Sequence, residues 1–136
     1  MGDQISARLE AWREMGFDPD KCPVRRILDH VAAKWTVLIL LEIHERPKRF
    51  NELLRSLPDI SRRMLTQGLR DLERDGILIR TVFDTRPPSV EYRLTGLGGS
   101  LMEPLLALVD WSAMHSESIF SAQDEFDARR SPGATV

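Results

Sequence analysis

The residues best suited to chemistry sit close together in ISRRMLTQGLRDLERDG, residues 60–76. Arg63, Gln67 and Arg70 recur at i, i+4 and i+7, which at about 100° per residue lines them down one side of a helix. A guanidinium can bond guanine through two donors, and a carboxamide can bond adenine in the same bidentate way. Ser61, Arg62 and Thr66 stand at the N-terminal end, where unpaired backbone N–H groups and the helix dipole favour phosphates. The competing reading is a solvated face on which Arg70 and Arg74 pair with Asp71, Glu73 or Asp75. For Arg74 that reading is preferred, so the candidate set is Ser61, Arg62, Arg63, Thr66, Gln67 and Arg70. Lys48, Arg49 and Asn51 are candidates to grip a phosphate, and Lys34 is a further one. Arg86 lies in a proline-stiffened turn from which an arginine could enter a minor groove.

Cys22 is the only cysteine. It precedes Pro23, and proline favours the first helical position, which makes Cys22 an N-cap. With Lys21, Arg25 and Arg26 near, its thiol pKa should fall and its reactivity rise; the competing reading is a half-buried cap that does no chemistry. Lacking a second cysteine, any disulfide must form between subunits or with a small thiol. His30, His44 and His115 have no metal-ligand spacing. The chain also has no nucleophile elbow, P-loop or dinucleotide fingerprint. We therefore expect no metal, no cofactor and no catalysis.

Several elements must hold these residues in place. Met64, Leu65, Gly68, Leu69 and Leu72 share roughly one 140° arc that can anchor the helix of residues 61–75. Ser61 reads as its N-cap and Asp75-Gly76 as its stop. Before it, Asn51 can cap a helix carrying Leu53, Leu54 and Leu57, and Pro58-Asp59 makes a tight turn. Residues 48–50 are extended. Residues 35–43, WTVLILLEI, fit a buried helix or a buried strand by periodicity; length and the lack of turn signals favour helix. After the basic helix, residues 77–83 alternate as a strand, with Ile77, Ile79 and Phe83 on one face and Leu78 and Val82 on the other. Residues 84–88 turn, and Val90, Tyr92 and Leu94 alternate in a second strand. Two helices, a tight turn and a hairpin give the order of a winged helix-turn-helix.

The ends read as helices with apolar stripes. Residues 4–15 place Ile5, Leu9 and Trp12 on one side, with Met15 beside them, and Gly16 and residues 17–20 close that helix as a loop. Residues 95–120 carry one stripe of Leu97, Leu101, Leu105, Leu108 and Val109, with Met102, Leu106 and Met114 off it. Pro104 should bend this helix or restart it. A second apolar stripe needs a second surface, so a dimer is expected through Ile5, Leu9, Trp12, Leu101, Leu105, Leu108 and Trp111. Residues 122–136 have the composition of a frayed tail.

Net charge is −2 and the pI about 5.9, but the charge is unevenly spread. Residues 46–93 carry +4, against −2 before them and −4 after them. A basic centre between acidic ends is a polarity a nucleic-acid binder could use. No apolar run reaches the ~18 residues of a membrane span, and the first residues lack a signal-peptide core. A cytoplasmic protein with no membrane partner is expected.

The motifs C-P-V, K-W, R-F-N-E-L, I-S-x-x-M-L-T-x-x-L-R-x-L-E-x-D-G and P-x-V-E-Y-x-L-T-x-x-G together resemble the HxlR-type subfamily of MarR-like winged-helix regulators. The resemblance runs from residue 22 to about 115. It implies a homodimeric DNA-binding transcriptional regulator and makes residues 35–43 a helix. Some members use a cysteine at the C-P-V position to sense oxidants or electrophiles, which carries over to Cys22. Where such regulators commonly have glycine, this chain has Ala32-Ala33, so the break before Lys34 should be less marked.

The resulting expectation is an α+β, mostly α chain. It comprises an N-terminal helical extension (1–21), a winged helix-turn-helix (22–95), a dimerisation helix (96–121) and a flexible tail (122–136). Its expected function is that of a repressor bound to a pseudo-palindromic operator in double-stranded DNA, with the wing at residues 84–88. An oxidant or a small-molecule effector would modulate it. The alternative is an adaptor that docks the basic face on an acidic protein.

Overall fold

A computed structural model describes residues 2–14 and 23–130. Cys22, the loop read at residues 16–20 and the last residues of the expected tail lie outside the described residues. The chain divides into two compact units, Met1–Gly99 and Ser100–Val136.

The first unit begins with helix α1 (Gly2–Glu14), none of whose residues is buried. Helices α2 (Pro23–Val31) and α3 (Lys34–Glu45) follow, then strand β1 (Lys48–Arg49) and helices α4 (Phe50–Ser56) and α5 (Arg62–Arg74). Strands β2 (Leu78–Phe83) and β3 (Ser89–Leu94) complete it. The stretch 35–43 is helical, and α3 sits at the centre of the unit with Ile39 and Leu40 fully buried. It packs on α5 and β3. Leu53 of α4 and Leu65, Leu69 and Leu72 of α5 are equally enclosed. Each such side chain contributes about 1.5–3 kcal/mol relative to exposure. Positions 65, 69 and 72 are one helical face, so a single stripe fixes how α5 is rotated. Met64, expected on that stripe, is 43% exposed, and the buried arc is correspondingly narrower.

The sheet is antiparallel with order β1-β3-β2. Its register pairs Leu78 with Leu94, Arg80 with Tyr92 and Val82 with Val90. Of the piece read as extended at residues 48–50, Lys48 and Arg49 supply the third strand, Lys48 opposite Tyr92, and Phe50 already belongs to α4. Ile77, read as the first strand residue, instead precedes β2 and is buried.

Asn51 does not cap α4. The N-cap is Arg49, two residues earlier, and the Glu52 carboxylate accepts from the Arg49 backbone N–H at 3.1 Å. Glu52 also forms an ion pair with Arg46. The Arg46 hydrogen bond, followed by the Arg49 N–H, holds the Glu52 carboxyl at about 2, below its ordinary ~4.3. A depressed carboxyl stabilises the fold above its unfolded pKa, and that contribution fades as pH falls through the folded value. Between about pH 4.5 and 2, the melting temperature of wild type should therefore fall more than that of Glu52→Gln, as read from thermal melts across that range. Parallel curves would remove Glu52 from the acid response.

The exit of α5 and the start of the next helix are tied by one threonine. Gly76 has φ of 78°, the left-handed conformation that ends many helices and suits glycine. The Thr95 hydroxyl donates to the Gly76 carbonyl at 2.7 Å and accepts from the Gly98 N–H at 3.0 Å. The Thr95 N–H donates to the Ile77 carbonyl at 3.0 Å.

Helix α6 (Gly96–Met114) contains Pro104 without interruption, and α7 (Ser116–Arg130) follows. The expected restart is therefore at residue 115, not at the proline. Side-chain bonds to backbone carbonyls gather there: Ser112 Oγ donates to Leu108 at 2.9 Å, and Ser116 Oγ donates to Ala113 at 3.1 Å. The His115 ring adds a bond to the Trp111 carbonyl at 2.9 Å. Such local bonds compete with the helical ladder and bend it. The expected tail is helical as far as Arg130, which corrects the reading of a frayed end from residue 122. Met102 and Leu105 are buried, whereas Leu97, Leu108, Trp111 and Met114 are exposed. Among the described residues, no helix is long and apolar enough to cross a membrane.

Candidate nucleic-acid interface

Ser61 accepts from the Met64 backbone N–H at 3.1 Å and so starts α5 as an N-cap. From there the buried stripe of Leu65, Leu69 and Leu72 turns the opposite side outward. Arg62, Arg63, Thr66, Gln67 and Arg70 are all exposed. Among the described residues, Arg63 and Arg70 make no hydrogen bond or ion pair. Arg62 lies over the Phe50 ring at 5.9 Å. The Gln67 amide donates to Asp71 at 2.9 Å, and its carbonyl oxygen has no hydrogen bond among the described residues.

Arg74 departs from expectation. Asp75 is taken by His30 at 2.9 Å and Asp71 by Gln67. Arg74 itself is exposed, with no ion pair among the described residues. The surface is thus more basic toward the C-terminal end of α5 than the sequence reading allowed.

Lys48 also departs, in the opposite direction. Its side chain is only 7% exposed, with Nζ 3.3 Å from Glu42 and 3.6 Å from Glu45. A lysine buried between two carboxylates is not presented to a ligand, and Lys48 leaves the candidate set. The spacing Glu42, Glu45, Lys48 carried that signal, since a helix ending at 45 brings both acids to its last turn. Arg49 and Asn51 are exposed beside it. Lys34 is exposed and rests on its neighbour, Nζ 4.6 Å from the Trp35 ring centroid. Arg86 is exposed at the tip between β2 and β3, where the Thr85 hydroxyl donates to the Pro87 carbonyl at 2.7 Å.

Arg80 was missed in the sequence. It lies on β2 between Leu78 and Val82 and lines a cleft of about 410 Å³ with Phe50, Thr66, Arg70, Glu73 and Tyr92. Strand alternation puts an arginine on the apolar side there, and that interruption of the pattern was the available sign. Of the proposed self-association residues, Ile5, Leu9, Trp12, Leu108 and Trp111 are each more than a third exposed. Leu101 is half-buried. Leu105 is 6% exposed, so its surface is already covered within one chain.

The sequence profile described as HxlR-like helix-turn-helix matches residues 30–120. The transcriptional regulator YtfH of Escherichia coli (strain K12), itself uncharacterized, is 41% identical over 113 residues, covering 83% of this chain and 90% of its own. The solved structure of ytfH from Salmonella typhimurium superimposes with a TM-score of 0.71 at 37% identity, covering 77% of this chain and 94% of that one. The redox regulator HypR in its oxidized form gives 0.64 at 42% identity, covering 68% and 96%. A buried stripe that turns an arginine face outward, a hairpin beside it and these relatives agree: the chain belongs to the HxlR-like helix-turn-helix family of transcriptional regulators.

Proposed function

We propose that the chain binds a pseudo-palindromic DNA operator as a homodimer and represses transcription from it. Helix α5 enters the major groove and the wing around Arg86 flanks the minor groove. The observation that carries this reading is the outward face of α5, where Arg63 and Arg70 stand on either side of Gln67 without a partner among the described residues. Two such helices reach successive major grooves about 34 Å apart. Selecting DNA from a random double-stranded pool with the purified protein tests it. An inverted repeat with half-sites about 10 base pairs apart is expected, with affinity falling steeply between about 50 and 200 mM salt. Absence of an enriched motif, or indifference to salt, would instead favour docking on an acidic protein.

Dimerisation uses α1 and α6, with residues 1–21 and 96–121 as the associating segments around a DNA-binding unit at 22–95. An isolated helix of α1's length is marginal in water, yet Ile5 and Trp12 are 53% and 42% exposed; a partner copy gives them a surface. Leu108→Glu with Trp111→Glu should give a monomer in sedimentation and weaken operator binding about 100-fold or more, since one half-site loses the effective concentration supplied by the other. A dimer that survives both charges would place the interface elsewhere.

Oxidation of Cys22 or binding of a small-molecule effector modulates the affinity. Support comes from Cys22 preceding the first residue of α2 and from the likeness to a redox regulator solved in oxidized and reduced forms. Thiol titration of the folded protein tests the cysteine, and a pKa at or above the ordinary ~8.5 would remove it as a sensor.

A further inference from the structure

We infer that Arg80 binds a backbone phosphate of the DNA, in the cleft between α5 and β2 that Arg70 and Thr66 open from the other side. This rests on the reading of α5 as a DNA-binding helix and adds a contact that neither the helix nor the wing tip supplies.

The cleft has a volume of about 410 Å³ and is continuous with the outward arc of α5, because Thr66 and Arg70 belong to both. Arg80 reaches it from the sheet, on the register position opposite Tyr92. Among the described residues, neither Arg70 nor Arg80 has a hydrogen bond or an ion pair. Glu73 lines the same cleft and offsets one of the two positive charges, leaving an excess of one. The Thr66 hydroxyl and the Tyr92 phenol add donors. The planar Arg80 guanidinium fork with these hydroxyl donors suits a tetrahedral oxyanion, to which arginine can bind through paired N–H groups. Base edges fit less well. Arg80 stands on β2 and not on the helix proposed to enter the groove, and a group beside that helix meets the nucleic-acid backbone that borders the groove. Such contacts fix register on the duplex and carry no sequence information.

The test is operator affinity measured across about 50–200 mM salt for wild type, Arg80→Ala and Arg80→Lys. Each phosphate contact contributes about 0.9 to the slope of log affinity against log salt. With one contact per protomer, the slope of Arg80→Ala should be shallower by about 1.8. Over a fourfold salt range wild type would then lose about 12-fold more affinity than the variant. Arg80→Lys keeps the charge and should keep the wild-type slope. The ranking of mismatched operators should be the same for all three proteins. An unchanged slope in Arg80→Ala overturns the inference while wild type still binds, and a changed ranking would make Arg80 a base reader instead. If wild type itself shows no salt-dependent operator binding, the reading of α5 fails and not this contact alone. Coincident melting curves for the three proteins would exclude a merely structural effect.

Discussion

Replacing Arg63 and Arg70 together by alanine is expected to weaken operator binding on the order of 100-fold or more and to leave the melting temperature unchanged. A good bidentate arginine–guanine pair discriminates by about 1–3 kcal/mol. The two sites are seven residues apart, about 10 Å along the helix, far enough for their effects to add. The selective loss should be largest on the preferred operator and small on unrelated DNA, where phosphate attraction dominates. Stability should be untouched because both side chains are exposed and bond to no other described residue, and such surface changes usually stay within about 0.5 kcal/mol. Titration of labelled operator and of a scrambled duplex measures both effects. Equal losses on the two duplexes would reduce these arginines to phosphate contacts, and no loss would move recognition away from α5.

The largest expected effect on stability comes from one methyl group. A Cβ added to Gly98 would lie 2.3 Å from the Ile77 carbonyl oxygen and 3.0 Å from a Leu94 methyl. That oxygen is a backbone atom already accepting from the Thr95 N–H, so it cannot swing aside as a side chain would. Alanine normally helps a helix by about 1 kcal/mol over glycine, but overpacking of this kind costs about 1–3 kcal/mol or more, and here the obstacle is rigid. Gly98→Ala should therefore lower stability by about 2 kcal/mol net, roughly 5–10 °C in melting temperature. Gly99→Ala is the control. Nothing lies within 4 Å of its Cβ, so the helix preference acts alone and the melting temperature should rise. A Gly98→Ala variant as stable as Gly99→Ala would show that the start of α6 can shift away from Ile77 at little cost.

The sequence pattern carried most of the exposed face of α5 and less of what surrounds it. Ser61 as N-cap, the helix over 35–43 and the hairpin pairing all follow from local signals, namely capping, length and alternation, and the structure has them. The misplaced features depend on tertiary partners. Lys48 reads as an exposed cation until α3 brings Glu42 and Glu45 beside it. Arg74 reads as neutralised until His30, 45 residues away in the chain, takes Asp75. Asn51 is a good cap by type, yet Glu52 bonding back to the Arg49 N–H starts the helix earlier. The part of α7 after residue 121 reads as a tail because the helix buries nothing, and a polar helix has no apolar period to announce it. Arg80 needed the cleft to be seen before its place in the alternation meant anything.

Lys48 has a consequence for how the protein behaves in a crowded solution. Strand β1 is one border of the sheet, and a border strand is a template on which other chains can stack and aggregate. This one is only two residues long, follows a proline and turns a lysine inward. Each of these spoils the template, and a hydrophobic intruder at that border would have to displace a charge already satisfied by two acids. The lysine withdrawn from the exposed basic surface thus acts as a guard against misassembly, keeping this border of the sheet from recruiting further strands.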